Sequence, residues 1–75
     1  SLIGTSLKKA SNYTKANWKT PFVLAMGNEQ NGLSDKFINN CDQLIKIPML
    51  GKSDSLNLAV STGIFLYESI RKNPN

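Results

Sequence analysis

The chain has 75 residues, about half the length of an average domain, so it can enclose only one small core. It contains one cysteine, Cys41, and no histidine, which excludes an internal disulfide and the usual zinc, haem and non-haem iron sites. Hydrophobic residues make up 40% of the chain, too many for a disordered segment. We therefore expect a compact piece without a metal, which needs support from a partner or from residues outside this stretch.

The net charge of +4 is concentrated at the beginning of the chain, where the first twenty residues contain four lysines and no acidic residue. Tyr13 and Trp18 lie between these lysines. Such a segment suits RNA, because lysines contact phosphates and aromatic rings stack on bases. The same lysines could instead keep a small protein soluble. The composition therefore permits nucleic acid as a partner without requiring it.

No segment resembles a targeting signal or a membrane span. The longest apolar stretch, residues 56–67, is too short to cross a bilayer and is interrupted by polar residues and glycine. A lone cysteine with the character of a core residue fits a reducing compartment. We expect a cytoplasmic protein that has no membrane contact.

Apolar runs predict the first elements in chain order. Residues 2–4 form a short strand, residues 5–20 a long loop with at most one irregular turn, and residues 22–26 a strand buried on both faces. Ser34 is then expected to cap a helix of two turns that ends at Cys41.

The second half of the chain repeats the alternation of strand and helix. Residues 44–47 form a strand, and a final helix capped by Asp54 or Ser55 extends over residues 56–72, followed by a flexible tail at 73–75. This order predicts an α/β fold with a parallel sheet and flanking helices. At most three strands are expected, so we expect further elements of the sheet upstream.

The final helix is apolar nearly all round. One stripe contains Leu56, Ala59, Val60, Gly63, Tyr67 and Ile70, while Leu58, Phe65 and Leu66 lie off it. A helix of this kind is buried on two sides, of which only one can pack on the sheet. The other side is expected to meet either a second copy of the chain or elements outside it, and Phe65 is predicted to face that partner.

The two loops that follow the strands at 22–26 and 44–47 are candidates for a ligand site, because open α/β sheets bind ligands there. The first loop nearly matches the phosphate-binding pattern G-x-x-x-x-G-K-[ST], but Leu33 stands where the lysine is required and Glu29 adds a carboxylate. A nucleoside triphosphate is therefore disfavoured. The loop suits a neutral or zwitterionic ligand, or it is simply a tight turn with glycines at positive φ.

The second loop combines apolar residues, a proline and the polar start of a helix. Ser55 and Asn57 could offer hydrogen bonds to a ligand beside an apolar wall, or they could serve only as helix caps. Because both loops follow strands expected to be neighbours, we predict that they face one crevice.

Two motifs in these loops resemble a known family. G-N-E-x-x-G-L-S within residues 22–34 and I-P-M-x-G-x-x-x-S-L-N-L-A within residues 47–59 are similar to the second and third motifs of the SpoU (TrmH-type) RNA ribose 2′-O-methyltransferases. That family belongs to the SPOUT class, whose domain carries a C-terminal trefoil knot. The resemblance covers residues 1–75 and implies the C-terminal part of such a catalytic domain. The family's first motif, with an Asn and an activating Arg, would lie upstream.

The resemblance implies S-adenosyl-L-methionine as cofactor and tRNA or rRNA as substrate. The homodimer expected through the C-terminal helix rests on the apolar sides of that helix. By motif position, the main cofactor contacts would be Gly27, Ile47 and Leu56, with Met26, Gly32, Pro48 and Met49 shaping the pocket. Three polar residues would lie nearest the chemistry: Ser55 and Asn57 would orient the ribose or the missing Arg, and Glu29 would brace the loop or the dimer.

No residue of the chain is an obvious general base. An ordinary glutamate, with a pKa of about 4.3, is too weak a base to take a proton from an alcohol, so Glu29 does not fill this role. We therefore expect the piece alone to be inactive. The alternative function is a non-catalytic module that binds RNA or dimerises.

Overall fold

The computed structural model describes residues 1–7, 9–27, 32–48 and 57–74. Within these residues the chain forms four strands, one turn of 3-10 helix and two α-helices. In chain order they are β1 (Leu2–Thr5), β2 (Ser11–Asn12), the 3-10 helix (Tyr13–Lys15), β3 (Val23–Ala25), α1 (Asp35–Asn39), β4 (Gln43–Lys46) and α2 (Leu58–Lys72). The predicted α/β class, with a parallel sheet and flanking helices, is confirmed.

The described strands form one parallel sheet in the order β2-β4-β1-β3. The prediction of at most three strands was wrong, because β2 lies inside the segment expected to be a loop. Its two residues, Ser11 and Asn12, are polar and leave no hydrophobic signal. The loops after β3 and β4 were expected to follow neighbouring strands, but β1 lies between these two strands.

Successive side chains along β1 point to opposite faces of the sheet. Ile3 is buried against Trp18 and Phe65 on the face covered by α2. The next residue, Gly4, points to the opposite face, where a β-carbon would lie 2.5 Å from Sγ of Cys41. Since Cys41 lies two residues after the end of α1, the two helices cover opposite faces of the sheet, and the glycine allows the segment at the end of α1 to approach.

The core within the described residues consists of four fully buried apolar side chains: Ile3, Trp18, Ile45 and Phe65. Trp18 is only 1% exposed, and its indole Nε1 donates a hydrogen bond to the carbonyl oxygen of Tyr13 at 2.9 Å. Tyr13 itself packs edge-on against Phe65, with 5.8 Å between the ring centroids. Both rings that the sequence offered for stacking on RNA bases therefore serve the core.

Strand β3 is buried on one face only. Phe22, Leu24 and Met26 alternate and pack against the core, whereas Val23 is 62% exposed. The prediction of a strand buried on both faces was wrong because β3 lies at an edge of the sheet, where the short helix α1 does not cover Val23.

The helix caps agree with the sequence at α1 and differ at α2. The Ser34 hydroxyl accepts a hydrogen bond from the backbone N–H of Phe37 at 3.2 Å, as predicted, although α1 ends at Asn39 rather than at Cys41. Helix α2 is capped by Asn57 and not by Asp54 or Ser55, which lie outside the described residues.

The far end of α2 is tied to the segment after the 3-10 helix. Asn73 follows the helix, and its side-chain Nδ2 donates to the carbonyl oxygens of Trp18 at 2.7 Å and Ser69 at 2.8 Å. The flexible tail was expected to begin at Asn73, but this residue is part of the folded structure.

The side of helix α2 that was predicted to face a partner packs against the core instead. Phe65 is 2% exposed and points into the core, so its predicted position toward a partner was wrong. Val60, Tyr67 and Ile70 are instead 53%, 68% and 65% exposed. The described residues of the predicted stripe therefore form the outward side of the helix, while Leu56 lies outside the described residues.

Candidate cofactor-binding site

The carboxyl ends of β1, β3 and β4 lie at one edge of the sheet, because the strands are parallel. Met26 and Gly27 follow β3, and Ile47 and Pro48 follow β4. With β1 between them, the two loops start about 10 Å apart, twice the usual spacing between strands. The two loops therefore follow strands that are separated by β1 and not adjacent strands.

The first loop closes on itself through two glycines. A β-carbon on Gly27 would lie 2.2 Å from the carbonyl carbon of Gly32 and 2.4 Å from the backbone nitrogen of Leu33. Gly32 has a φ of 67° and open space where its β-carbon would be. Positive φ thus explains Gly32, whereas Gly27 is required because two backbone segments touch.

Each loop begins with an apolar side chain that packs against the core. Met26 and Ile47 are partly buried and pack against the core on the α2 side of the sheet, while Pro48 is exposed. Every described member of the predicted site is uncharged: Met26, Gly27, Gly32, Ile47, Pro48 and Asn57. The edge thus offers apolar surface together with backbone polar groups.

Asn57 has a clear structural role at the start of α2. Its Oδ1 accepts hydrogen bonds from the backbone N–H groups of Ala59 at 2.8 Å and Val60 at 3.4 Å. The side-chain oxygen is thereby committed to the helix, so any contact to a ligand would have to come from its amide nitrogen. Four predicted site residues lie outside the described residues: Glu29, Met49, Ser55 and Leu56.

The described titratable groups supply no catalytic base at this edge. Burial raises the pKa of the Cys41 thiol, and the negative charge of Asp42 raises it further. The thiol lies on the α1 face and donates to the carbonyl oxygen of Phe37 at 3.4 Å.

No group of residues suited to hold a metal ion is found in the described ranges. Neither described helix combines the length and apolar character needed to span a membrane.

An ion pair on α2 between buried Glu68 and exposed Arg71 was missed by the sequence analysis. Glu68 is only 5% exposed and accepts two hydrogen bonds of 2.9 Å from Nε and Nη2 of Arg71. These hydrogen bonds lower the pKa of Glu68, and the charges of Arg71 and Lys72 act in the same direction against its burial. Arg71 and Lys72 follow Glu68 by three and four residues, a spacing on a helix that could have indicated this pairing.

The ammonium group of Lys72 makes a second contact that the sequence did not predict. It donates to the carbonyl oxygen of Thr14 at 2.6 Å and lies 3.8 Å from Oε2 of Glu68. The end of α2 is therefore attached to the 3-10 helix by a side chain that sequence spacing alone could not place.

A parallel sheet with helices on both faces defines an α/β domain, a class of fold in which ligands bind at the carboxyl ends of the strands. The chain belongs to the SpoU rRNA Methylase family, whose model matches residues 1–67.

Two curated relatives cover nearly all of the chain. The tRNA (guanosine(18)-2′-O)-methyltransferase of Aquifex aeolicus is 42% identical over 72 residues, which are 95% of this chain and 34% of that protein. The 23S rRNA (guanosine-2′-O-)-methyltransferase RlmB of Ralstonia nicotianae is 37% identical over 71 residues, 95% of this chain and 28% of that protein. The chain thus spans about a third or less of these relatives.

The fold is also similar to solved structures. The crystal structure of an AdoMet-bound rRNA methyltransferase from Sinorhizobium meliloti superposes with a TM-score of 0.90 at 40% identity, covering 99% of this chain and 29% of that one. This agreement extends the family assignment from the sequence to the arrangement of the strands and helices.

Proposed function

We propose that this chain is the cofactor-holding, C-terminal part of an enzyme that methylates a ribose 2′-hydroxyl of tRNA or rRNA. The observation that carries the proposal is the contact of Gly27 with Gly32, which builds a tight loop of backbone groups at the carboxyl edge of a parallel sheet. Relatives named as tRNA and rRNA 2′-O-methyltransferases support the reaction and the class of substrate.

The chemistry of the edge fits S-adenosyl-L-methionine. This ligand carries an adenine ring, which needs an apolar surface, and a zwitterionic amino acid end, which backbone groups can bind. Met26 and Ile47 provide apolar surface, and the backbone around Gly27 provides the polar groups. When bound, S-adenosylmethionine supplies a methyl carbon activated by a sulfonium, which a ribose 2′-oxygen can take with loss of its proton.

Each residue of the proposed site has a distinct task. Gly27 and Ile47 hold the cofactor from the ends of β3 and β4, together with Leu56. Gly32 closes the first loop, and Met26, Pro48 and Met49 shape the pocket. Ser55 and Asn57 position the ribose or the activating Arg, and Glu29 braces the first loop or the dimer. For Asn57 this leaves the amide Nδ2 as the contacting group, because Oδ1 caps the helix.

The proton acceptor is expected outside this chain. Cys41 lies on the other face of the sheet, and its raised pKa keeps the thiol protonated. An arginine from the upstream motif that the resemblance implies would activate the ribose hydroxyl, and alignment of the reactants would supply further rate enhancement. The isolated piece is therefore proposed to hold the cofactor without catalysing transfer.

Isothermal titration of the full-length protein with S-adenosylmethionine tests this proposal. We expect saturable binding with one site per chain. Absence of heat above the blank would contradict it and would favour the alternative of a module that only binds RNA or dimerises. Trp18 is buried and Tyr13 packs against the core, so that alternative gains no support from base stacking on these two rings.

The outward side of α2 is proposed to bind a second copy of the chain. Val60, Tyr67 and Ile70 are more than half exposed, and at Gly63 nothing lies within 4 Å of a built β-carbon, so a second helix could approach closely there. These residues carry no charge, and a two-fold axis can therefore pair the surface with itself.

We also propose a cytoplasmic location. RNA substrates and the free thiol of Cys41 both suit this reducing compartment.

A further inference from the structure

Four basic side chains lie around the C-terminal end of α2: Lys15, Lys19, Arg71 and Lys72. We call them the basic patch. Two hydrogen bonds across the chain bring them together. Lys72 donates to the carbonyl oxygen of Thr14, next to Lys15, across 58 positions of sequence. Asn73 donates to the carbonyl oxygen of Trp18, next to Lys19, across 55 positions. The fold therefore collects cations that are far apart in the sequence.

The basic patch keeps its positive charge at the surface. Glu68 is the carboxylate that contacts it among the described residues, and this side chain is only 6% exposed. Arg71 binds both oxygens of Glu68, yet its side chain remains 58% exposed. Lys72 is 36% exposed, and Lys15 and Lys19 are exposed. One buried carboxylate thus pairs with two of the four cations, so the basic patch keeps a net positive charge.

We propose that the basic patch binds the sugar-phosphate backbone of the RNA substrate. This inference rests on the proposed function and adds to it a surface on the α2 face of the sheet, separate from the cofactor loops. Ammonium and guanidinium groups bind phosphate oxygens, and such contacts position RNA without reading its sequence. Base stacking is not part of the surface, because the rings of Tyr13 and Trp18 face the core.

Arg71 and Lys72 are unsuitable for a test by substitution. Removing Arg71 would leave a buried carboxylate without its main partner, and removing Lys72 would break the link to Thr14. Lys15 and Lys19 are exposed, and neither side chain makes a hydrogen bond or an ion pair within the described part of the chain. Lys36 on α1 is also exposed and lies on the opposite face of the sheet, so it provides a matched control.

The experiment compares the full-length wild type with K15Q, K19Q, K15Q/K19Q and K36Q. Binding of unfractionated tRNA is measured by filter retention over a range of salt, and binding of S-adenosylmethionine by titration. We expect each single variant in the patch to raise the Kd for tRNA about threefold and the double variant about tenfold. The slope of log K against log salt should become shallower by about 0.7 to 0.9 for each lysine removed. Cofactor affinity and the K36Q variant should match the wild type.

Unchanged tRNA affinity and salt slope in K15Q/K19Q would overturn the inference, as would an equal loss in K36Q. Retention on vesicles containing anionic lipid that falls in the double variant, while tRNA binding does not, would also overturn it in favour of a membrane surface. If the wild type failed to bind S-adenosylmethionine, the proposed function would fall, and the tRNA measurements would still decide the role of the patch.

Discussion

Gly27 and Gly32 are in direct backbone contact, and a β-carbon on Gly27 would overlap the carbonyl carbon of Gly32 at 2.2 Å. The contact closes the loop between β3 and α1 at the edge of the sheet where ligands bind in this class of fold. Because the colliding atoms belong to the backbone, no rotation of a side chain can relieve the overlap. Gly27 is therefore the described residue on which the shape of the proposed site depends most directly.

Replacing Gly27 with Ala should open this loop. The added methyl forces the two backbone segments apart, so we expect the affinity for S-adenosylmethionine to fall by at least about tenfold in the full-length protein. G32A is the matched control: it adds the same methyl in open space and costs only about 1 kcal/mol of backbone strain. Titration should therefore show a smaller loss for G32A than for G27A. Equal affinity of G27A and the wild type would show that the closed loop does not shape the site.

Asn57 combines a helix cap with a proposed positioning role, and two substitutions separate them. N57A removes the cap and should lower the free energy of unfolding by about 1 kcal/mol, whereas N57S retains a capping oxygen and most of the stability. Neither variant retains the amide nitrogen, so RNA methylation should be lost in both. Thermal melts and a methyl-transfer assay provide the two measurements. A stable N57S with the wild-type rate would reduce Asn57 to a cap.

Glu68 is expected to make the stability of the protein depend on pH. Hydrogen bonds from Arg71 lower the pKa of Glu68 in the folded state below its ordinary value of 4.5. The unfolded chain therefore binds more protons in this range, and the stabilisation is lost as the pH falls from about 4.5 through the folded pKa. E68Q should show a flatter fall in unfolding free energy over this range, measured by denaturant titration. Parallel pH profiles for E68Q and the wild type would contradict the assignment.

The outward side of α2 predicts the oligomeric state. V60D places a charge in the proposed contact between two copies, so the full-length variant should elute and scatter light as a monomer where the wild type is a dimer. L7D is the control, since Leu7 is 60% exposed and lies away from α2 in sequence. A V60D protein that remains dimeric, or a monomeric wild type, would refute the interface. F65D is uninformative because Phe65 belongs to the core.

Much of the fold follows from local patterns. The apolar runs around Ile3, Leu24 and Ile45 predict β1, β3 and β4, since buried strands need continuous hydrophobic side chains. Ser34 predicts the start of α1 through its capping hydroxyl. Strand β2 could not be predicted, because its pairing with β4 depends on backbone hydrogen bonds alone and its two residues are polar.

The burial of particular side chains depended on contacts between distant segments. Trp18 lies in a polar, lysine-rich stretch and was interpreted as exposed, but α2 covers it from the other end of the chain. Phe65 was placed on the wrong side because α2 is apolar on two sides, so helical periodicity could not decide which one faces the sheet. At Gly27 the sequence indicated a turn, while the close approach that requires glycine became visible only in three dimensions.

The most direct test is to locate the transferred methyl group. The full-length protein is incubated with tRNA or rRNA and with S-adenosylmethionine labelled in its methyl group, and the RNA is then hydrolysed with alkali. A methyl on the 2′-oxygen blocks cleavage of the adjacent phosphodiester, so the account predicts label in alkali-resistant dinucleotides. Label in mononucleotides would indicate methylation of a base, and either that result or unlabelled RNA would contradict the account.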